Sequence, residues 1–396
     1  MLDFLDYKFD VLTLIIVICA GIFLLYRLLY WIIIYGRLSA HFKKERKHKK
    51  TVDLEKTEPI GVSVVMVTNN NAEALKDGLL HILEQDYPLF EVVVVNENSN
   101  DDTEFVLYVL KQNYPNLTVV NLGKNDNKFE SYKFSLSIGI RSAKYEKILL
   151  TDVSCTPKGY DWISTMMNPV NIYPNTKIVT GMVLRKVKKG FTGRLIRFDE
   201  VMSYMNLFAF TLAGKAYTST GRNMIYDRQW LIKKGGFINQ YGINCNQEDY
   251  FVQKHAKKKN TKIVYDRKAR MYLPEYSDFS TFVRVKFAES LSKKQLKKMY
   301  KILLASNPLS GFLYYGLIIV GCIFGFPWQY AAVATLLMWI VQILMVKSSA
   351  KNLHVRKVWL VAPLFEMFFF FFNFMIRVRV LFFRKKEKKI RWDNKK

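Results

Sequence analysis

The sequence predicts an α/β domain built on a parallel sheet and held between membrane-embedded ends, and three observations predict it. From Gly61 onward, short strand-like apolar runs alternate with helical stretches, the pattern of a parallel sheet covered on both faces. One of those runs, Ile148-Leu-Leu150, ends abruptly on Thr151-Asp152 and turns at Pro157. A buried parallel strand ends this way when it delivers a carboxylate to the C-terminal edge of its sheet, where ligands bind. The remaining apolar residues of the 396-residue chain concentrate at its two ends.

Taken in order, Val11 to Ile34 is apolar except for Arg27 and exceeds the roughly 20 residues that cross a bilayer. No small-residue cleavage site follows it, so it is expected to stay as an anchor. A basic run from Arg37 to Lys50 comes next, whereas Asp3, Asp6 and Asp10 precede the span. Basic flanks stay in the cytoplasm, so the middle segment is expected to face the cytoplasm from the inner (cytoplasmic) membrane of a multi-pass protein.

Within the middle segment, Val62 to Val67 reads as a buried strand, Ala74 to Glu84 as a helix and Glu91 to Val95 as the next strand. The polar run Asn96 to Thr103 follows, offering a helix cap and groups for a base and ribose; alternatively it is a solvated turn. A helix to Gln112, a strand at Leu117 to Asn121, a helix at Tyr132 to Ser142 and the strand leading to Asp152 complete one half. Leu184 to Ala213 mixes apolar and basic residues, and reads either as packing against the sheet or as a face lying on the bilayer.

Toward the C-terminus, Leu309 to Phe326 and Tyr330 to Val346 are joined by the uncharged turn Gly325 to Gln329, a membrane hairpin. The stretch Val358 to Val380 carries Pro363, Glu366, Asn373, Arg377 and Arg379. If it spanned, the basic Arg384 to Lys389 would lie outside, so an interfacial or re-entrant helix is the expectation and a third span the alternative. The boundaries that follow are an anchor at 1–36, a basic linker at 37–58, the α/β domain at 59–307, the hairpin at 308–346, and the last membrane helix with its tail at 347–396.

The net charge of +27 suits anionic lipid and a diphosphate ligand. No aromatic-interleaved basic module or recognition motif is present, so nucleic acid is not an expected partner. Four cysteines without paired or zinc-like spacing are expected to be reduced thiols. The spans carry no repeats or paired charges that would mark a transport pathway.

Several stretches together resemble the family-2 glycosyltransferases of the GT-A superfamily. They are Val62 to Thr68, Gln85-Asp-Tyr-Pro88, Glu91 to Val95 with Ser99-Asn-Asp101, Lys133 to Lys144, and Leu149-Leu-Thr-Asp152. They continue with Gly214 to Tyr226, Asn246 to Val252 and the closing Ile390-Arg-Trp392, so the resemblance runs from about Pro59 to the C-terminus. It implies a GT-A, Rossmann-like nucleotide-diphospho-sugar transferase domain with an N-terminal transmembrane helix, a C-terminal transmembrane hairpin and an interfacial helix.

The resemblance also implies roles for single residues. Asp249 would be the base that takes the acceptor's proton, with Glu248 shaping its field; a Glu-Asp pair at a helix N-terminus is the plain alternative. Thr68, Glu97, Asp101, Lys133, Asp152 and Lys286 would meet the nucleotide-sugar, and Asp101 is equally suited to cap a helix. Gly221, Arg222 and Asn223 would line the acceptor side, with Arg222 either a phosphate ligand or a surface cation. Asp152 and Ser154 would face the divalent cation, magnesium or manganese.

The chain departs from the family pattern at three places. Ser154 stands where the second aspartate of the metal motif is expected, Asn96 where an aspartate is common, and Ala288 where an arginine helps hold the diphosphate. Arg284, Lys293 or Lys294 would have to replace that arginine as point charges.

The function so implied is inverting transfer of a sugar from a nucleotide-diphosphate sugar, a UDP-sugar first, to a lipid-linked or membrane-proximal acceptor in surface polysaccharide or glycolipid assembly. The alternative is a catalytically degenerate scaffold that keeps the fold to bind a partner enzyme or nucleotide-sugar.

Overall fold

The computed structural model describes residues 10–48, 58–123, 132–238, 247–274, 278–292, 296–355 and 358–382, with the side chains of 47, 48, 247–249 and 292 outside the description. In chain order its elements begin with α1 (Val11–Tyr30), a π-helical turn (Trp31–Tyr35), α2 (Gly36–His48), β1 (Val62–Thr68), α3 (Ala72–Gly78), α4 (Leu80–Leu83) and β2 (Phe90–Glu97). They continue with α5 (Thr103–Asn113), β3 (Leu117–Leu122), α6 (Tyr132–Ser142), β4 (Lys147–Leu150), β5 (Thr156–Pro157), α7 (Trp162–Ile172), β6 (Ile178–Thr180), β7 (Val183–Arg185) and α8 (Phe191–Leu212). The last are β8 (Met224–Asp227), α9 (Arg228–Lys233), α10 (Gln247–His255), β9 (Thr261–Ile263), β10 (Met271–Leu273), α11 (Phe279–Ser292), α12 (Lys298–Ile323), α13 (Trp328–Asn352) and α14 (Ala362–Phe382).

These elements form two compact units. Among the described residues, one lies within Lys47–Gly193 and Asn206–Phe282; the other lies within Met1–Arg46, Arg194–Met205 and Val283–Ile390. The division cuts inside α8 and α11.

The first unit is the α/β domain. Its seven-stranded sheet has the order β3-β2-β1-β4-β8-β6-β9, and β5, β10 and β7 form a small second sheet. β1 pairs in parallel with β2 and β4, and β2 with β3; β8 runs antiparallel to both β4 and β6. The fully buried Val62 to Thr68 explains why β1 is a continuous apolar run: it is central and covered on both faces. Alternation along β1 and β2 then sorts two cores. Val64, Met66, Val92 and Val94 join Leu75, Leu107, Trp162 and Met166, while Val65, Val67, Val93 and Val95 join Leu136, Ile140, Phe237 and Phe251. Helix α6 sits close on this second face because Gly139 has no side chain. A Cβ there would stand 2.8 Å from both Val65 Cγ1 and Val95 Cγ2.

The second unit is helical. Three stretches are long and apolar enough to cross a membrane: Val11–Arg46, Lys298–Ile323 and Trp328–Asn352. They are the anchor and hairpin expected from sequence. Their outward faces expose Ile15, Ile22, Ile319, Leu336 and Leu344, the pattern of helices solvated by lipid. Between helices, polar groups pair: Thr13 Oγ1 donates to the Phe324 carbonyl at 3.0 Å, and Trp339 Nε1 to Tyr315 Oη at 2.7 Å. Contrary to the expectation of no paired charge in the spans, the buried Arg27 guanidinium of the first span pairs with Glu366 of α14; it also donates to the Asn307 carbonyl at 3.0 Å, and Glu366 accepts from Gln342. Gly311 makes room for that guanidinium, since a Cβ there would lie 2.3 Å from Arg27 Nη1.

Helix α14 covers most of the stretch Val358 to Val380. It carries Glu366, Arg377 and Arg379, and among the described residues it is not one of the three long, apolar and sparsely charged helices. Ala362, Phe365, Phe369, Phe372, Ile376 and Val380 form its buried stripe, whereas Leu364, Phe371, Phe374 and Met375 are exposed. Phe365 and Phe369 lie against Phe198 of α8 at 5.6 and 5.8 Å between ring centroids. The stretch around Phe198 therefore packs on α14 within the helical unit, and not against the sheet as the first of its two readings expected.

Candidate active site

The C-terminal edge of the parallel strands gathers the loops that follow β1, β2 and β4, and sheet register decides what meets there. Leu150, the last residue of β4, is the antiparallel partner of Met224, the first of β8. Two residues beyond Leu150 comes Asp152; two residues before Met224 comes Arg222. An antiparallel ladder brings such positions opposite each other. Gly221, at φ +64°, turns the chain into β8 just ahead of Arg222.

The two side chains form an ion pair, with Arg222 Nε donating to Asp152 Oδ2 at 3.2 Å. The other carboxylate oxygen, Oδ1, accepts from the Ser154 backbone N–H at 2.9 Å and from Ser154 Oγ at 2.5 Å. Burial works against the charged carboxylate here, but Arg222 and the Ser154 donors outweigh it and hold Asp152 below the usual carboxylate range. Arg222 is likewise held above its ordinary value: burial lowers it, and Asp152 more than reverses that. Cys155, fully buried beside this turn, is pushed up to about 12, chiefly by desolvation and then by Asp152. It is a protonated, inert thiol at neutral pH. Cys19, Cys155 and Cys322 are all free, as expected, and Cys245 lies outside the described residues.

The loops after β1 and β2 are stitched to each other. Asn70, at φ +48°, donates from its backbone to Ser99 Oγ at 2.9 Å and accepts the Asn100 N–H on its Oδ1 at 2.6 Å. The Asn71 N–H bonds Thr103 Oγ1 at 3.0 Å, and Asn69 Nδ2 donates to the Glu97 carbonyl. Asp101 resolves toward its capping alternative: its Oδ2 accepts from the Ala72 N–H at 3.2 Å and its Oδ1 from the Thr103 N–H at 3.1 Å. It thus ties the first turns of α3 and α5 together. Desolvation opposes its charge, and the Thr103 and Ala72 bonds overcome it, lowering its pKa. The polar run is a rigid floor more than a set of free recognition groups. Asn69 to Asn71 carry these ties between the loops and are not among the candidate site residues read from sequence; three successive asparagines after a strand are the available signal.

The remaining expected residues divide plainly. Thr68 ends β1, buried on the same edge, and Glu97 ends β2 there. Lys133 is on α6 with its side chain fully buried. Asn223 corrects the expectation of an acceptor-lining residue. It is fully buried, its Nδ2 donates to the carbonyls of Met182 at 2.9 Å and Ala269 at 2.8 Å, and its Oδ1 accepts from Trp162 Nε1 at 3.1 Å. It is an internal strut between β8 and the segments flanking the small sheet. Lys286 belongs to the helical unit, where its ammonium lies 2.6 Å from Asp199 and 2.7 Å from Glu289. Glu248 and Asp249 fall at the start of α10, and their side chains lie outside the described residues, as do Lys293 and Lys294.

Asp152 and Ser154 do not make a ready cation site. Ser154 Oγ spends its proton on Asp152, both carboxylate oxygens are engaged, and Arg222 holds the side a cation would approach. Among the described residues, no group of three or more His, Cys, Asp or Glu side chains is placed to hold a metal ion. The pairing of Asp152 with Arg222 had no sequence signal, because the two are 70 positions apart.

This sheet order, with the single antiparallel strand β8 set between β4 and β6, is that of a GT-A-like glycosyltransferase. The chain belongs to glycosyl transferase family 21, whose model matches residues 24–395. The GT-A relationship expected from the motifs therefore holds. Among solved structures, the mannosyltransferase PcManGT from Pyrobaculum calidifontis, in complex with GDP-Man and Mn2+, is similar at 17% identity and a TM-score of 0.53, covering 91% of this chain and 99% of that one. S. aureus TarS 1-349 is similar at 14% identity and a TM-score of 0.40, over 83% of this chain and 92% of that one. Its complex with UDP-GlcNAc gives 12% identity and a TM-score of 0.40 over the same shares. No curated protein matches the chain.

Proposed function

We propose that this glycosyltransferase moves a sugar, with inversion, from a nucleotide-diphosphate sugar to an acceptor at the membrane surface, in surface polysaccharide or glycolipid assembly. The observation that carries the reading is the C-terminal sheet edge. There the ends of β1, β2 and β4 meet a fixed Asp152–Arg222 pair in a chain that also holds three apolar helices. Nucleotide-sugars bind at such edges of open α/β sheets. A UDP-sugar is the first donor to try and a GDP-sugar the second, GDP-Man being the ligand named for PcManGT.

In the reaction, the acceptor hydroxyl attacks the anomeric carbon as the bond from that carbon to the β-phosphate oxygen breaks. The bonding pair leaves on the phosphate oxygen, and the hydroxyl proton passes to the base, for which Asp249 with its neighbour Glu248 is our assignment from the motif. A divalent cation, named for PcManGT, would supply Lewis-acid neutralisation of the diphosphate when bound; at Asp152 it would first have to displace Arg222. The basic flank of the first span supports a cytoplasmic active site at the inner membrane. The three apolar helices carried by the same chain favour a lipid-linked acceptor over a soluble one.

The test is transfer by the purified, detergent-solubilised full chain from radiolabelled UDP- and GDP-sugars to a total lipid extract, with organic-phase label as readout. Label from one donor, lost on Asp249→Asn, is the expected result. Label confined to the aqueous phase would overturn the membrane acceptor, and none from any donor would overturn the transfer itself.

A further inference from the structure

We propose that the guanidinium of Arg222, held in place by Asp152, grips the donor's diphosphate and does the neutralising that a metal bridged by an Asp-x-Asp pair would otherwise do. This rests on the glycosyl-transfer reading above and deepens it: the ligand is the diphosphate of a nucleotide, and its binding does not require a divalent cation. Three observations lead there.

First, the carboxylate is committed. Oδ1 carries two donors from Ser154 and Oδ2 carries Arg222 Nε. The serine that replaces a second aspartate is not an idle substitution, because its hydroxyl locks the orientation of Asp152. A divalent ion needs open carboxylate lone pairs and more than one charged ligand, or the phosphates themselves, to repay its dehydration. Among the described residues it would meet here a single carboxylate with a cation already on it.

Second, the pairing leaves the working face of the arginine open. Only Nε is used by Asp152; among the described residues the two Nη amines, with four N–H donors, have no hydrogen-bond partner. The side chain is 28% exposed while its anchor is 24% exposed, so the fork is neither sealed nor loose. A guanidinium fixed through Nε presents its Nη1–Nη2 edge as a bidentate clamp for two phosphate oxygens.

Third, the position is right by register. Arg222 lies two residues before β8, opposite the turn after β4, on the edge where Thr68 and Glu97 also end their strands. The leaving diphosphate keeps the bonding electron pair, and that charge would develop beside the Nη edge. Asp152 is in this scheme a positioning residue for Arg222 and does not touch the donor.

The experiment is equilibrium binding of UDP and GDP to the full-length protein in detergent, in excess EDTA and in Mn2+, with wild type, Arg222→Met, Arg222→Lys and Asp152→Asn. Expected is saturable binding in EDTA of at least one nucleotide, changed less than about threefold by Mn2+. Arg222→Met should weaken it by about 10- to 100-fold, the worth of a charge-assisted bidentate contact. Arg222→Lys should fall between, since it keeps the charge and loses the fork. Asp152→Asn, whose carbonyl oxygen still accepts from Nε, should cost only a few-fold.

A metal site predicts the reverse signs: no binding in EDTA, loss on Asp152→Asn, and tighter Mn2+ dependence in Arg222→Met because its competitor is gone. That result overturns the proposal while leaving glycosyl transfer standing. The wild-type comparison of EDTA with Mn2+ decides between the two even if a variant fails to fold. No nucleotide binding under either condition would overturn this proposal and the donor assignment together.

Discussion

Replacing Asn223 by alanine separates a strut from an acceptor contact, and its cost can be worked from the structure. The substitution leaves the Ala269 carbonyl and the Trp162 indole N–H without partners, while the Met182 carbonyl keeps the Met271 N–H at 3.1 Å. The side chain is 0% exposed, so water does not reach the orphaned groups without opening the packing. Each buried group left unpaired costs about 1–3 kcal/mol. Local relaxation cannot close the gap cheaply, because Gly181 already packs on the amide, with its Cβ position 2.6 Å from Asn223 Nδ2. Taking the lower half of that range for the two groups gives about 2–4 kcal/mol. For a domain of this size each kcal/mol moves the transition by about 2–4 °C, so a drop on the order of 4–16 °C is expected. The assay is thermal unfolding of the detergent-solubilised full chain by tryptophan fluorescence, with transferase activity measured below both transitions. Asn223→Asp should be as damaging, since a carboxylate cannot donate to two carbonyls. A transition within about 2 °C of wild type, together with a raised KM for acceptor, would refute the strut and restore the acceptor role.

Three further outcomes follow from the same geometry. Asp227 receives Lys147 at 2.8 Å and Lys177 at 2.9 Å and caps α9 through the Trp230 N–H; burial opposes its charge, the lysines prevail, and its pKa is lowered from 3.8. A depressed carboxylate contributes stability that is present above its unfolded value and lost as pH falls through its folded one. The gap in melting temperature between wild type and Asp227→Asn should therefore be constant near neutrality and shrink below the ordinary carboxylate range; a gap that grows on acidification would contradict it. Gly311→Ala drives a methyl into the Arg27 guanidinium, and should lower the thermal stability of the helical unit by about 1–3 kcal/mol, with Gly316→Ala, whose Cβ meets nothing within 4 Å, as the unaffected control. Asp101→Ala removes the acceptor shared by α3 and α5 and should cost about 1–2 kcal/mol; an unchanged melt with lost nucleotide binding would return Asp101 to the ligand.

Much of the fold was legible because burial writes itself into local sequence. β1 reads as a strand since all its residues are covered, and α6 lies where sequence places it, Tyr132–Ser142. The long apolar stretches likewise announce helices by length alone. The site was legible as an edge, through Asp152 after a buried strand, but not as a set of partners. Asn223 looked like part of a surface signature and proved to be interior, because its neighbours Met182, Ala269 and Trp162 come from three distant segments. Lys286 kept its motif position, yet Asp199, 87 positions earlier, claims its charge (286 − 199).

What the sequence determined by itself, then, is the periodic and local part: the order of strands and helices from β1 to β4, the apolar helices, and the carboxylate at the end of β4. What only the tertiary structure decided is pairing across the sheet. β8 inserts antiparallel beside β4 with Leu150 opposite Met224, and that register sets Arg222 on Asp152. No spacing rule reports it, because an antiparallel ladder joins residues by their distance from a shared rung and not by their separation along the chain.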